Sequence, residues 1–128
     1  MNGQVTLAYM SPQEEADIKR NIPWDDIDVK ILKTVKFANN IPGIATIYSC
    51  AGHTKPDRAE IFMEYAYLRL RFTKDYTPEQ MLNAALCVGI SDVSFCLSNK
   101  SVWVYISVEP GYRKKLREFL KVVNGEVV

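Results

Sequence analysis

Ser49-Cys50-Ala51-Gly52-His53 gathers a hydroxyl, a thiol, a glycine and the chain's one histidine into a single short stretch. Four readings fit those residue types. A Cys50 thiolate is a nucleophile, and His53, three residues on, is placed to lower its pKa or shuttle a proton. With Cys87 and Cys96 the pair makes a Cys3His set of the right chemistry for zinc. Those two cysteines fall among apolar residues and lack the close spacing of a zinc half-site, so no metal is expected. A turn of this composition also offers backbone N–H groups to an anion, with Gly52 permitting close approach. The last reading is a tight structural turn, with Cys50 a small buried apolar side chain.

Two further clusters carry charge or rings. Tyr65, Tyr67, Arg69 and Arg71 alternate along one stretch and share one side of a strand. Aromatics and arginines in that order suit the stacking of bases and the holding of phosphates; the alternative is an ordinary solvated strand face. Arg113, Lys114, Lys115, Arg117 and Lys121 crowd the final helix, as phosphate contacts or as its solvated side. No glycine-rich nucleotide loop, HExxH or GxSxG occurs in the chain.

The elements that must hold these groups are legible from periodicity. Val5 to Met10 reads as a short strand, and Ser11-Pro12-Gln13-Glu14 opens one or two helical turns. Trp24-Asp25-Asp26 starts a helix whose stripe is Ile27, Ile31, Val35 and Ala38, ended by Asn39-Asn40 and Pro42. Ile44 to Ser49 is a strand, Thr54 to Glu60 a loop, and Ile61 to Thr73 the longest strand, with Phe62, Ala66, Leu68, Leu70 and Phe72 on its apolar face. Thr77-Pro78-Glu79-Gln80 caps a helix that buries Met81, Leu82, Ala85 and Leu86 or Val88 and stops at Gly89. Asp92–Ser98 and Ser101–Val108 form a hairpin through Asn99-Lys100. The final helix buries Tyr112, Leu116, Phe119, Leu120 and Val123, and ends at Asn124-Gly125. This order predicts one α+β domain over residues 1–128, a mixed or mostly antiparallel sheet with helices packed on one face.

Bulk composition narrows the class. The 128 residues are 48% apolar and 24% charged, the balance of a globular domain rather than a disordered chain. A net charge of +1 gives no strong overall field, so any binding of nucleic acid or anionic lipid has to come from a local patch. No apolar run approaches the roughly 20 residues of a membrane helix, and Met1-Asn2-Gly3-Gln4 lacks the basic start and apolar core of a signal peptide. Three cysteines, an odd number, suit reduced thiols in a cytoplasm.

The stretch from the first helix to Gly52 resembles the methyltransferase family of the third protein in tRNA wybutosine synthesis. That family has an acidic residue opening a helix, an Asn at the helix end, a Thr in a strand, and then Ser-Ser-Cys-Ser-Gly-Arg. The matching residues are Asp26, Asn39, Thr46, Ser49, Cys50 and Gly52; the departures are Tyr48, Ala51 and His53. Met81 to Ile90 followed by Ser91, and the strand Val102 to Val108, are similar to later parts of the family. Ser-Cys-x-Gly-His also resembles a motif of small uncharacterised proteins of viruses and microbes. The resemblance implies a protein that binds RNA or a nucleotide-like ligand and methylates a tRNA base with S-adenosylmethionine, which needs positioning rather than a covalent intermediate. It implies a ligand site at Thr46, Ser49, Cys50, Gly52 and His53; the nucleic-acid face at Tyr65, Tyr67, Arg69 and Arg71 is the one read from the strand alternation. Exchange of the family's arginine for His53 changes anion recognition near neutral pH. The alternative is a non-enzymatic binding or regulatory module that keeps only the fold.

Overall fold

Two helices start where reciprocal side-chain caps close their free N–H groups. Ser11 and Glu14 form a capping box ahead of α1 (Pro12–Arg20), and Thr77 and Gln80 form another ahead of α3 (Pro78–Cys87). The computed structural model describes residues 6–55 and 62–126. Helix α2 (Val29–Asn39) starts later than the sequence pattern indicates: Trp24–Asp26 is a single 3-10 turn, and Asp28 accepts the Lys30 N–H at 2.8 Å. Three carboxylates compete for the cap within four residues, and extended Ile27 separates the turn from the helix. Asn40 keeps right-handed backbone, and the left-handed residue is Gly43, at φ 88°. Helix α4 (Lys114–Val123) follows a 3-10 turn at Pro110–Tyr112.

Four strands form an antiparallel sheet: β1 (Ile44–Cys50), β4 (Ala66–Phe72), β6 (Val102–Val108) and β5 (Asp92–Leu97), in that spatial order. Two short strands, β2 (His53–Lys55) and β3 (Phe62–Glu64), pair antiparallel with each other. The long strand expected over Ile61–Thr73 is therefore two strands separated at Tyr65. The loop expected from Thr54 to Glu60 starts later, because Thr54 and Lys55 belong to β2; its remainder from Pro56 to Glu60, Ile61 and Val5 lie outside the described residues. Residues 6–10 form no strand of their own. They cross the sheet end instead, Ala8 bonding with Ser98 (2.9 Å) and Val102 (3.0 Å) and Met10 with Phe72 (3.0 Å).

One face of the sheet is covered by α2, α4 and α3. Helix α2 packs on β1 and α4, and α3 packs on α4, β5 and β6. Ile31, Val35 and Ala38 of α2, Met81, Ala84 and Ala85 of α3, and Leu116, Phe119 and Leu120 of α4 meet Leu68, Leu70, Phe72, Val104 and Ile106. Burial of this size is the main drive to fold. Two expectations are corrected here. The Thr77 cap sets the phase of α3 so that Met81, Ala84 and Ala85 face inward, leaving Leu82 and Leu86 outward, and Tyr112 is exposed in its 3-10 turn.

Helix α1 has no buried residue and sits beside β1. Polar clamps hold it there. Glu15 accepts the Gly43 N–H (2.8 Å) and pairs with Lys19 (2.6 Å), which donates to the Ile41 carbonyl (3.2 Å).

Candidate functional site

Strand register decides which side chains share the face of the sheet opposite α2, α3 and α4. Cys50, Tyr67, Ser107 and Asp92 lie in one cross-strand row; Tyr48, Arg69, Tyr105 and Ser94 in the next; Arg71, Trp103 and Cys96 in a third. Regular alternation along β1 would send Thr46 and Tyr48 to the same side. A bulge prevents that: Thr46 is opposite Leu70 and Tyr48 opposite Arg69, so Ile47 has no partner and the alternation reverses. Thr46 consequently faces the helices, whereas Tyr48 joins the open face.

Arg69 is the centre of that face. Its guanidinium carbon lies 4.4 Å from the Trp103 ring centroid, 5.3 Å from that of Tyr48 and 5.9 Å from that of Tyr105. Tyr67 and Tyr105 approach to 5.2 Å between centroids. These rings and Ser94 line a shallow concavity of about 500 Å3. The Arg69 Nε is buried without a hydrogen-bond partner among the described residues. Burial pushes the Tyr67 phenol above its usual pKa, with neighbouring Cys50 and Tyr105 adding to the rise against the pull of Arg69.

The other members of the expected nucleic-acid face lie elsewhere. Arg71 is on the same side but only 8% exposed; its guanidinium donates to the Ala8 carbonyl (3.1 Å) and pairs with Glu14 (3.3 Å). Tyr65 falls between β3 and β4 and lines a separate hollow with Asp92, Glu109, Tyr112 and Lys115. Trp103, Tyr105 and Tyr48 take their places on the open face. The signal for Trp103 and Tyr105 was present in the alternation of β6, opposite Val102, Val104 and Ile106. The signal for Tyr48 was hidden by the bulge.

Beside β1 a cleft of about 510 Å3 is closed by α1, the segment from residue 21 to 28, and α2. Thr46, Ser49 and Cys50 line it, with Asp26 on the facing turn and Ile22 and Ile31 among its apolar walls. Tyr48 borders both the cleft and the open face. Thr46 is committed internally: its N–H donates to Asn39 Oδ1 (3.1 Å), and Asn39 Nδ2 donates to its hydroxyl (2.9 Å) and to the Val35 carbonyl (2.8 Å). The turn after β1 is committed as well. Gly52, at φ 78°, donates its N–H to Cys50 Sγ (3.4 Å), and Arg113 Nε donates to the Ala51 carbonyl. Backbone N–H groups at Gly52 are therefore already occupied by sulfur. His53 is the first residue of β2, opposite Glu64; the anion-holding role expected of its imidazole falls outside the described side chains.

Cys87 is exposed at the end of α3, and Cys96 lies on β5, across the sheet from Cys50. Among the described residues, no three His, Cys, Asp or Glu side chains gather to hold a metal ion. Among them too, no helix is long and apolar enough to cross a membrane.

No family model matches the chain. No curated protein matches it either. Among solved structures it is similar to the PH1069 protein from Pyrococcus horikoshii, at 16% identity over 86% of this chain and 88% of that one, with a TM-score of 0.49.

Proposed function

We propose that this chain is an RNA- or nucleotide-binding protein similar to the wybutosine-synthesis methyltransferase family, and that Tyr48, Tyr67, Arg69, Trp103 and Tyr105 stack an unpaired base. The observation behind this reading is Arg69 lodged among three aromatic rings, on the part of the sheet face left open beyond the contact of α1 with Arg71. Rings of this kind accept any base through its π-face, for about 1–3 kcal/mol each, and the guanidinium adds a cation for phosphate or base edge. Anisotropy of a labelled single-stranded RNA tests it. Trp103→Ala is expected to weaken binding by about tenfold or more. Equal affinity for wild type, Trp103→Ala and Arg69→Ala would overturn the reading.

Methyl transfer is the reaction class the resemblance adds, and one observation favours it. Asp26, Thr46, Ser49 and Cys50 meet in one cleft that adjoins the stacking face at Tyr48. The cleft's chemistry suits the nucleoside part of S-adenosylmethionine: isoleucines for the base, and the Asp26 carboxylate for ribose hydroxyls. When bound, that cofactor supplies an electrophilic methyl group. The chain's own work is then to orient a base on the open face and exclude water around it. Cys50 holds the turn through its sulfur and attacks nothing. Isothermal titration with S-adenosylmethionine separates this from a non-enzymatic binding module, for which no heat is expected.

A further inference from the structure

The near-neutral total charge conceals a strong segregation. Helices α2 and α4 contain seven of the 16 basic residues and one of the 15 acidic ones, so together they carry +6 and the remaining chain −5. Lys30, Lys33, Lys36 and Lys114 are exposed, and none of the seven cations joins an ion pair among the described residues. Lys115 turns toward Tyr112 and Gly89, on the α3 side. Helical spacing puts Arg117 and Lys121 on the opposite flank of α4, toward α2. Lys30 to Lys36 spans about 9 Å and Lys114 to Lys121 about 10 Å, on helices packed roughly 8–10 Å apart.

On α2 and α4 this layer exposes its cations and one large apolar side chain, Val29 at the start of α2. The apolar stripes of both helices, Ile31, Val35 and Ala38 and Leu116, Phe119 and Leu120, are already buried. A membrane-surface helix presents apolar residues beside its cations, so a polyanion in water fits better than a lipid surface. Continuity with the stacking face names the polyanion. Tyr48 borders the cleft, Asp28 (the cap of α2) and Ile31 of α2 form its far wall, and Lys36 shares a hollow of about 350 Å3 with Lys19, Trp24, Asn39 and Asn40.

We propose that α2 and α4 form a phosphate-binding surface for the backbone of the same RNA whose unpaired base stacks on the open sheet face. The inference rests on the RNA-binding reading and extends it round the β1 edge to the helical layer. Its test uses a hairpin RNA with an unpaired loop and a fully paired duplex of the same stem, titrated over a salt series. In Lys33→Gln/Lys36→Gln/Arg117→Gln/Lys121→Gln, each lost phosphate contact removes about 0.7–0.9 from the slope of log affinity against log salt, so up to roughly 3.6 in all. Duplex binding by wild type should disappear in this variant. Trp103→Ala should weaken the hairpin complex and leave the slope and duplex binding unchanged. If the fourfold variant does not fold, Lys33→Gln/Lys36→Gln alone, at exposed positions, should lose about half as much slope. An unchanged slope, a wild type that ignores duplex, or tighter binding to phosphatidylserine vesicles than to RNA would overturn the proposal. Base stacking stands or falls separately, on the hairpin affinity of Trp103→Ala.

Discussion

Replacing Asn39 by alanine removes three hydrogen bonds, two of them to Thr46. Thr46 is 7% exposed, so water does not take over at its N–H or its hydroxyl. An unpaired buried polar group costs about 1–3 kcal/mol; with two such groups and partial relaxation, the expected loss is about 3 kcal/mol. At roughly 4 °C per kcal/mol for a domain of this size, Tm should fall by about 12 °C. Urea unfolding followed by circular dichroism should show a lower midpoint with an unchanged slope, because the surface exposed on unfolding is the same. Asn40→Ala, at the exposed helix end, is the control and should stay within about 0.5 kcal/mol. A double-mutant cycle with Thr46→Ala should return a coupling of about 1 kcal/mol or more. If Asn39→Ala matches Asn40→Ala, Asn39 only ends a helix, and the account of the β1 edge is wrong.

Gly43→Ala and Gly125→Ala share the same left-handed backbone but not the same surroundings. A Cβ at Gly43 would meet Thr73 Oγ1 at 2.8 Å and the Tyr76 ring at 2.9 Å, whereas nothing lies within 4 Å at Gly125. Thermal melts should therefore show about 1 kcal/mol lost at Gly125 and clearly more at Gly43. Glu15 gives a pH signature. Burial raises its pKa, but Lys19 and the Gly43 N–H outweigh that and leave it below 4.5. Its contribution is present above the unfolded value and lost as pH falls through the folded one, so Glu15→Gln should be less stable at pH 7 and lose less stability between pH 5 and pH 3. For Tyr67, whose pKa is raised chiefly by burial, the matching stabilisation is lost as pH rises beyond 10; absorbance titration of wild type against Tyr67→Phe should show one phenol ionising late. Arg113→Met should release the Ala51 carbonyl, cost about 1–3 kcal/mol, and raise the reactivity of Cys50 toward a thiol reagent; unaltered labelling would show that the turn holds itself.

Local chemistry was legible in the sequence, and non-local chemistry was not. Ser11–Glu14 and Thr77–Gln80 announce their helices because each cap closes within one turn. The start of α2 is not legible, because Asp25, Asp26 and Asp28 can all serve as its cap and only the extended backbone at Ile27 chooses among them. Arg69 and Arg71 are equivalent in the alternation of β4. They differ because Glu14 and Ala8, far off in the chain, cover one of them. The cleft was half visible: Ser49 and Cys50 were marked by their motif, but its isoleucine walls read only as helix stripe and loop. Charge segregation was countable from the start, yet meaningless until α2 and α4 proved to be neighbours.

The unpaired Ile47 makes the face chemistry of β1 a matter of counting rather than of residue identity. Downstream of it, Tyr48 and Cys50 face away from the helices and Ser49 faces toward them. An in-frame loss of the Ile47 codon would close the ladder into plain alternation, with Thr46 still opposite Leu70, Tyr48 still opposite Arg69, and every face unchanged. One residue inserted after Tyr48 would instead carry Ser49 to the open face and Cys50 toward the helices, so the binding surface is sensitive to length on one side of the bulge and indifferent to it at the bulge itself.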